Sequence, residues 1–263
     1  MKLGSMTYFA ADPAKELQRI HESGFDYVEL NIEWPSSTAE KLLARKSELK
    51  KLISDYKLEV VGHTPWYFHF AHPYSNIRST YIEETKKIMN CASEFGAKIC
   101  TIHPDQLFHI YDEQKDREGY VRNFLDSAKT LDEHARSLGL TLCVENFHSK
   151  AFSIEEFKRL FREIPKAKLT LDLGHTNFFI PGADGASLFL DEFSSKLAHV
   201  HAHDNNGKED QHLSIGEGKI DWKKTLGKLK KVYNGTITLE IHAPDRDYIK
   251  ISKKKFEELW KSV

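Results

Sequence analysis

Histidine, aspartate and glutamate recur where short apolar runs of this chain end. Seven candidate ligands for divalent metal ions lie at or just after these ends, and the long loop after the seventh run adds two more. The seven are His63, His103, Glu145, Asp172, His175, His201 and Glu240, and the two in the loop are Asp210 and His212. Imidazole nitrogen suits zinc, manganese, cobalt or iron, and carboxylate oxygen suits the harder ions. Without a metal ion, several carboxylates sharing one cavity would repel one another and raise their own pKa values. The pattern therefore predicts a divalent metal centre, provided that the fold gathers these residues.

The apolar runs themselves predict eight β-strands, because each is short, often β-branched and bounded by glycine, proline, asparagine or charged residues. The predicted strands are Lys2–Phe9, Tyr27–Asn31, Leu58–His63, Ile99–His103, Thr141–Glu145, Leu169–Asp172, Leu197–His201 and Thr236–Glu240. Helical spacing of apolar residues between them predicts helices over Glu40–Tyr56, Tyr81–Phe95, Phe124–Leu138 and Ile154–Ile164. Glycines that end helices in the left-handed conformation are predicted at Gly24, Gly96, Gly139 and Gly235. Ser153 is a predicted helix N-cap.

The alternation of strands and helices predicts a parallel sheet. Eight βα units in 263 residues predict an α/β fold with a single (β/α)8 TIM barrel over residues 1–263. An open doubly wound sheet would require a glycine-rich phosphate turn after the first strand, and Tyr8–Asp12 is not one. Active sites of such barrels lie at the C-terminal ends of the strands, where the candidate ligands fall. The long irregular stretch Asp204–Lys219 is predicted to be functional.

Composition narrows the class of protein. The formal net charge of −1, from 38 basic and 39 acidic residues, argues against binding dominated by attraction to nucleic-acid phosphates. A hydrophobic content of 40% argues against intrinsic disorder. Cys91, Cys100 and Cys143 are widely spaced and are predicted to be reduced, buried thiols of a cytoplasmic protein. No signal peptide and no apolar run long enough to span a bilayer is evident, so no membrane partner is expected.

Aromatic residues and further histidines also occur near the strand ends. Trp34, Trp66, Tyr67 and Phe108 follow strand ends and either wall a pocket or cap the barrel. Seven further histidines are interpreted as hydrogen-bonded core or surface residues: His21, His69, His72, His109, His134, His148 and His199.

At these residues the sequence resembles the xylose isomerase-like barrel superfamily, which includes sugar and sugar-phosphate isomerases and epimerases. The resemblance implies that Glu145, Asp172, His201 and Glu240 hold one Mn, Co or Mg ion. It further implies that the two glutamates transfer a proton through an enediolate while the metal polarises the substrate oxygens. It also implies that His175 contacts the substrate. Barrels of this kind often pair as homodimers, and the sequence leaves the oligomeric state open.

The same superfamily includes endonuclease IV, an abasic-site DNA nuclease with three zinc ions. All nine candidate ligands match the ligand set of that enzyme, and Trp66 and Tyr67 fall at its DNA-wedge positions. The sequence departs from its pattern at Asn146-Phe147-His148, at Gly174 and at His203. No arginine-rich loop that would hold a kinked duplex is present in the sequence.

These departures favour one hypothesis over two alternatives. The preferred hypothesis is an enzyme, a divalent-metal-dependent sugar or sugar-phosphate isomerase/epimerase that uses Mn, Co, Mg or Zn. The first alternative is a trinuclear zinc phosphodiesterase of the endonuclease IV type, acting on abasic DNA. The second is a non-catalytic sugar- or metal-binding barrel, since a motif match does not establish an activity.

Overall fold

The computed structural model describes residues 1–104, 116–147, 152–179, 184–243 and 245–263. Eight parallel strands within these residues close into a barrel in which neighbours follow the order of the chain. The strands are β1 (Lys2–Met6), β2 (Tyr27–Asn31), β3 (Glu59–His63), β4 (Ile99–Ile102), β5 (Thr141–Glu145), β6 (Lys168–Asp172), β7 (Leu197–Ala202) and β8 (Thr236–Leu239). The barrel closes because β1 pairs with β2 on one side and with β8 on the other. The predicted (β/α)8 TIM barrel is confirmed.

The strand boundaries follow the prediction closely. Both ends of β2 and β5 agree with it, and β3, β4, β6, β7 and β8 differ by one residue at one end. The first strand was predicted too long, since β1 ends at Met6 and not at Phe9. Beyond it the chain turns, with the Ala11 N–H donating to the Tyr8 carbonyl, and Asp12 caps the helix that follows. Because all eight strands run parallel, the polar residues that end them lie at one end of the barrel.

Helices connect the strands. They are α1 (Pro13–Glu22), α2 (Ala39–Ala44), α3 (Lys46–Asp55), α4 (Ser75–Glu94), α5 (Arg117–Ser137), α6 (Ile154–Glu163), α7 (Leu173–Phe179), α8 (Gly185–Phe193), α9 (Trp222–Val232) and α10 (Tyr248–Ser262). The single helix predicted over Glu40–Tyr56 is wrong, because Arg45 (φ −109°, ψ 20°) leaves the helical conformation between α2 and α3. The helices α4 and α5 begin earlier than predicted, at Ser75 and Arg117. Within the described ranges, every helix is too short or too polar to span a lipid bilayer.

The predicted caps are correct with one exception. Positive φ angles of +72°, +89° and +71° occur at Gly24, Gly96 and Gly139. Gly235 is not a helix cap: α9 ends at Val232, and the next residue, Tyr233, is extended. Glycine is required at 235 because a Cβ atom there would collide with the Tyr233 ring. Ser153 caps α6 and forms a reciprocal capping box with Glu156, which satisfies two orphan N–H groups.

The three cysteines are free and buried, as predicted. Burial raises the pKa of Cys91 and of Cys143 to about 12, and it raises the pKa of Cys100 as well. Because the thiolate is the reactive form, we expect a thiol-specific disulfide reagent at about pH 8 to label none of them in the native protein. All three should react in denaturant. Rapid labelling of the native protein would show that the barrel opens near the labelled residue.

Candidate metal centre

A cavity of about 270 Å³ opens at the C-terminal end of the barrel. Six of the nine candidate ligands line it: His63, His103, His175, Asp210, His212 and Glu240. The other three, Glu145, Asp172 and His201, lie beneath them and are at most 1% exposed. The fold thus brings all nine residues to one site. Of the two glutamates expected to act as acid and base, only Glu240 faces the cavity.

The centre of the site is the imidazole of His201, surrounded by three carboxylates. Its Nδ1 atom lies 3.1 Å from Glu145 Oε2, 3.2 Å from Glu240 Oε2 and 3.9 Å from Asp172 Oδ2. Nδ1 of His201 and the facing oxygens of Glu145 and Asp172 are buried and make no well-directed hydrogen bond. Buried polar atoms normally have a partner, and one imidazole with three carboxylates suits a divalent cation. This group therefore fits the metal ion that the sequence predicts.

Histidines control the charge of the two glutamates. Burial alone would raise the pKa of Glu145, but His201 and His103 outweigh it and hold that pKa well below its usual range. Burial is likewise outweighed at Glu240, where His212 and His201 lower the pKa. Both groups are therefore carboxylates at neutral pH, which is the form that binds a metal ion or accepts a proton.

A buried glutamate that the sequence prediction left out, Glu29 on β2, holds His201 from the opposite side. Glu29 Oε1 accepts a hydrogen bond from Nε2 of His201 at 3.1 Å, and Glu29 Oε2 accepts one from Nε2 of His199 at 2.9 Å. Burial would raise the pKa of Glu29, but these two histidines hold it well below its usual range. His199 is thus a hydrogen-bonded core residue, as interpreted. The available signal was a charged residue in the middle of the apolar run Tyr27–Asn31.

A second group lies on the side of β3 and β4. His103 Nε2 is 3.2 Å from Glu145 Oε2, and His63 Nε2 is 3.8 Å from the same oxygen. The two imidazole rings meet edge to face, with centroids 4.8 Å apart. Neither ring nitrogen of His63 has a hydrogen-bond partner, although both are buried. His63, His103 and Glu145 could therefore share a further ion.

A third group lies under the β7–α9 loop. Nε2 of His175 lies 3.3 Å from Asp210 Oδ2, and Nε2 of His212 lies 3.1 Å from Asp210 Oδ1. Backbone carbonyls orient both rings, since Nδ1 of His175 donates to Asn146 O and Nδ1 of His212 donates to Glu240 O. Such hydrogen bonds are typical of histidines that bind metal through the other nitrogen.

His203, absent from the predicted set, lies beside this third group. Its Nε2 atom is near the ligand atoms of the group, but its ring stacks on that of His212 with centroids 3.9 Å apart and planes 15° apart. One ion cannot lie in the planes of two stacked, nearly parallel rings, so His203 and His212 do not share a metal in this arrangement. Nε2 of His203 instead lies 3.2 Å from Asp172 Oδ1. Gly174 makes room for the ring, because a Cβ atom there would collide with it.

Asn146 fixes the position of Asp172. Its side-chain amide donates to the Asp172 carbonyl at 2.9 Å and accepts from the Asp172 N–H at 2.7 Å. This pair links the ends of β5 and β6 in the way a backbone ladder would. The Asp172 Oδ1 atom also accepts from the His175 N–H at 2.7 Å, so its second oxygen is left facing the metal group.

Asp204 anchors the loop that carries two of the candidate ligands. Its fully buried carboxylate accepts hydrogen bonds from the N–H groups of Gly216 and Ile220 and from Nε1 of Trp222. A Cβ atom at Gly218 would collide with this carboxylate and with the adjacent backbone. Gly216 and Gly218 therefore serve to hold the loop in place.

Aromatic residues form part of the cavity wall. Trp66 lines it, with its ring 6.3 Å from that of Phe147. Trp34 and Tyr67 line a neighbouring cavity instead. Phe108, which was expected to wall a pocket or cap the barrel, lies outside the described residues.

Glu33 is another cavity residue that the sequence prediction missed. It lines the same cavity as Glu240. Burial raises the pKa of Glu33 to about 7, with His63 opposing the shift and Glu240 adding to it. The carboxyl group therefore changes its protonation near neutral pH. Glu33 lies two residues after the end of β2. No pattern in the sequence distinguished it from a surface glutamate.

Comparison with known proteins shows which family has this fold. A family model described as xylose isomerase-like TIM barrel matches residues 17–259. The chain belongs to this family. One relative is an uncharacterized protein of Methanocaldococcus jannaschii, 28% identical over 259 residues, which covers 91% of this chain and 83% of that protein. Another, from Aquifex aeolicus and named probable endonuclease 4, is 26% identical over 211 residues and covers 73% of each chain.

Solved structures of the same fold include sugar epimerases. A D-tagatose 3-epimerase-like protein superposes with a TM-score of 0.87 at 25% identity, covering 100% of this chain and 98% of that one. Others, including D-psicose 3-epimerases, are less than 25% identical and show the fold alone. The resemblance to the xylose isomerase-like superfamily is confirmed.

Proposed function

We propose that this protein is a divalent-metal-dependent sugar or sugar-phosphate isomerase/epimerase. The observation that carries the proposal is the buried group of Glu145, Asp172, His201 and Glu240, whose facing ligand atoms lie together below a small cavity. A cavity of about 270 Å³ lined by histidines, carboxylates and aromatic side chains suits a small polyhydroxylated molecule. The D-tagatose 3-epimerase-like protein among the structural neighbours supports the same class of substrate.

The arrangement suggests a role for each residue. Glu145, Asp172, His201 and Glu240 would hold the ion, which polarises the carbonyl and hydroxyl oxygens of the substrate when bound. Glu240 lines the cavity as a carboxylate, so it can accept the proton from the carbon beside the carbonyl. Glu145 is the proposed second member of the pair; because it starts as a carboxylate, it would have to take up a proton from water before it returned one to the enediolate form of the sugar. His175 lines the same cavity and is the proposed substrate contact.

A deuterium-uptake assay tests this proposal. Protein stripped of metal is reloaded separately with Mn²⁺, Co²⁺, Mg²⁺ or Zn²⁺ and incubated in heavy water with ketoses, aldoses and their phosphates. We expect at least one sugar to be epimerised or isomerised and to gain deuterium at a carbon beside the carbonyl, as read by NMR. Stripped protein should be inactive. Absence of turnover across the panel with every metal would reject the proposal.

A trinuclear zinc phosphodiesterase acting on abasic DNA is the second candidate, because one observation favours it. All nine residues that match the endonuclease IV set lie in adjacent groups at this site, and the relative in Aquifex aeolicus carries that name. Three zinc ions per chain, together with incision of an abasic duplex, would replace the isomerase proposal. Ligand binding without turnover in both assays would favour a non-catalytic sugar- or metal-binding barrel.

A further inference from the structure

Glu29 lies on the far side of His201 from the proposed metal ion. It stands in the middle of β2 and is 0% exposed. Its two carboxylate oxygens accept hydrogen bonds from Nε2 of His201 and Nε2 of His199, and the Thr238 hydroxyl donates to the second of these oxygens. His201 is therefore held between Glu29 on one side and the carboxylates of the metal group on the other.

The two nitrogens of His201 face different partners. Nδ1 lies 3.1 Å from Glu145 Oε2 and 3.2 Å from Glu240 Oε2, so Nδ1 is the nitrogen available to a metal ion. An imidazole that binds metal through one nitrogen keeps its hydrogen on the other. A carboxylate that accepts this hydrogen fixes the tautomer, orients the ring and makes the ligating nitrogen more basic.

We propose that Glu29 is a positioning residue that holds His201 in its Nε2–H tautomer and thereby sets the metal affinity of the centre. The inference rests on the proposed function in one respect only, that the group around His201 binds a divalent ion. It does not depend on which reaction follows. Glu29 touches neither the cavity nor a substrate, so it acts through His201.

His199 explains why a carboxylate, and not an amide, is needed at position 29. Each oxygen of Glu29 accepts the N–H of one histidine, at 3.1 Å for His201 and at 2.9 Å for His199. Glu29 fixes the tautomer of His199 too: because the carboxylate accepts the hydrogen on Nε2, Nδ1 of the neutral ring is left to accept from the Thr236 hydroxyl, 2.8 Å away. A glutamine would offer one acceptor oxygen and would turn its NH₂ group toward one of the two N–H groups. Glu29→Gln therefore changes the hydrogen-bond pattern while nearly conserving shape.

Metal affinity tests the proposal in Glu29→Gln and in a matched control, Thr236→Val. The control removes the hydrogen bond to His199 in the same layer of the barrel but leaves Glu29 and His201 in place. We expect Glu29→Gln to bind Co²⁺ about 10–100-fold more weakly than the wild type in a chelator competition. Thr236→Val should bind like the wild type. Thermal melting of the metal-free proteins, followed by circular dichroism, reports whether each variant is folded.

NMR of the wild type with ¹⁵N-labelled histidine and bound Zn²⁺ provides a readout that needs no variant. We expect His201 to keep its hydrogen on Nε2 and to bind through Nδ1. Binding through Nε2, or equal affinity of Glu29→Gln and wild type, would overturn the inference. Weaker binding by Glu29→Gln, combined with absence of sugar turnover by the wild type, would support the inference and reject the proposed reaction. Sugar turnover by the wild type, combined with equal metal affinity of Glu29→Gln and wild type, would support the proposed reaction and overturn the inference about Glu29.

Discussion

Substitution of Glu240 by glutamine is expected to lower sugar turnover by at least about 10³-fold while the barrel stays folded. Loss of a general base alone costs about 10²–10⁴-fold, and Glu240 is also a proposed metal ligand. Its side chain is 11% exposed, lines the cavity and approaches His201 Nδ1 to 3.2 Å. Its backbone N–H bonds to the Ala202 carbonyl, and this contact is unchanged by the substitution. Initial rates with saturating metal measure the effect.

Glu209→Gln is the matched control for this experiment. Glu209 lies in the exposed part of the β7–α9 loop, so the variant loses a carboxylate near the site but outside the cavity. It should turn over substrate like the wild type, and both variants should melt close to the wild-type temperature as metal-free proteins. Full activity of Glu240→Gln would remove Glu240 from the acid–base pair.

The strand ends could be predicted because buried parallel strands are short apolar runs, and the first polar residue after each run marks its C-terminal end. His63, Glu145 and Asp172 are the last residues of β3, β5 and β6, as expected. Since all strands of a parallel barrel point the same way, predicting their ends also predicted which side chains meet. Seven of the nine candidate ligands therefore followed from local patterns, whereas Asp210 and His212 lie in the loop between β7 and α9.

Contacts between distant parts of the chain could not be predicted in this way. Glu29 is a single charged residue in a strand, and sequence does not tell whether such a residue faces solvent or the barrel interior. Gly235 was expected to cap a helix, yet its role is to leave space for the Tyr233 ring. Gly174 and His203 were both recognised as departures from the nuclease pattern. Only the fold shows that they form a pair.

The close approach of Gly174 and His203 predicts a second large effect. Gly174→Ala is expected to lower the free energy of unfolding by about 2–3 kcal/mol, because overpacking displaces buried groups. The added Cβ atom would occupy the space of the His203 ring. That ring is fully buried, stacks on His212 and lies 3.2 Å from Asp172 Oδ1. A shift of His203 therefore displaces a candidate ligand on either side, so metal binding should weaken as well. Urea unfolding of the metal-free protein and a chelator competition measure the two effects.

The control for this substitution is the same chemical change at another helical glycine. Gly227 lies in α9, and a Cβ atom there would meet only Val263 at 3.8 Å. Gly227→Ala should stabilise the protein by about 0.5–1 kcal/mol, since alanine loses less backbone entropy in a helix. If the free energy of unfolding falls in Gly174→Ala and rises in Gly227→Ala, the destabilisation at Gly174 comes from the collision with the His203 ring and not from placing an alanine in a helix. The double variant Gly174→Ala/His203→Ala removes the collision and should be more stable than additivity of the single variants predicts. Strict additivity would mean that the ring and the new methyl group never compete for the same space.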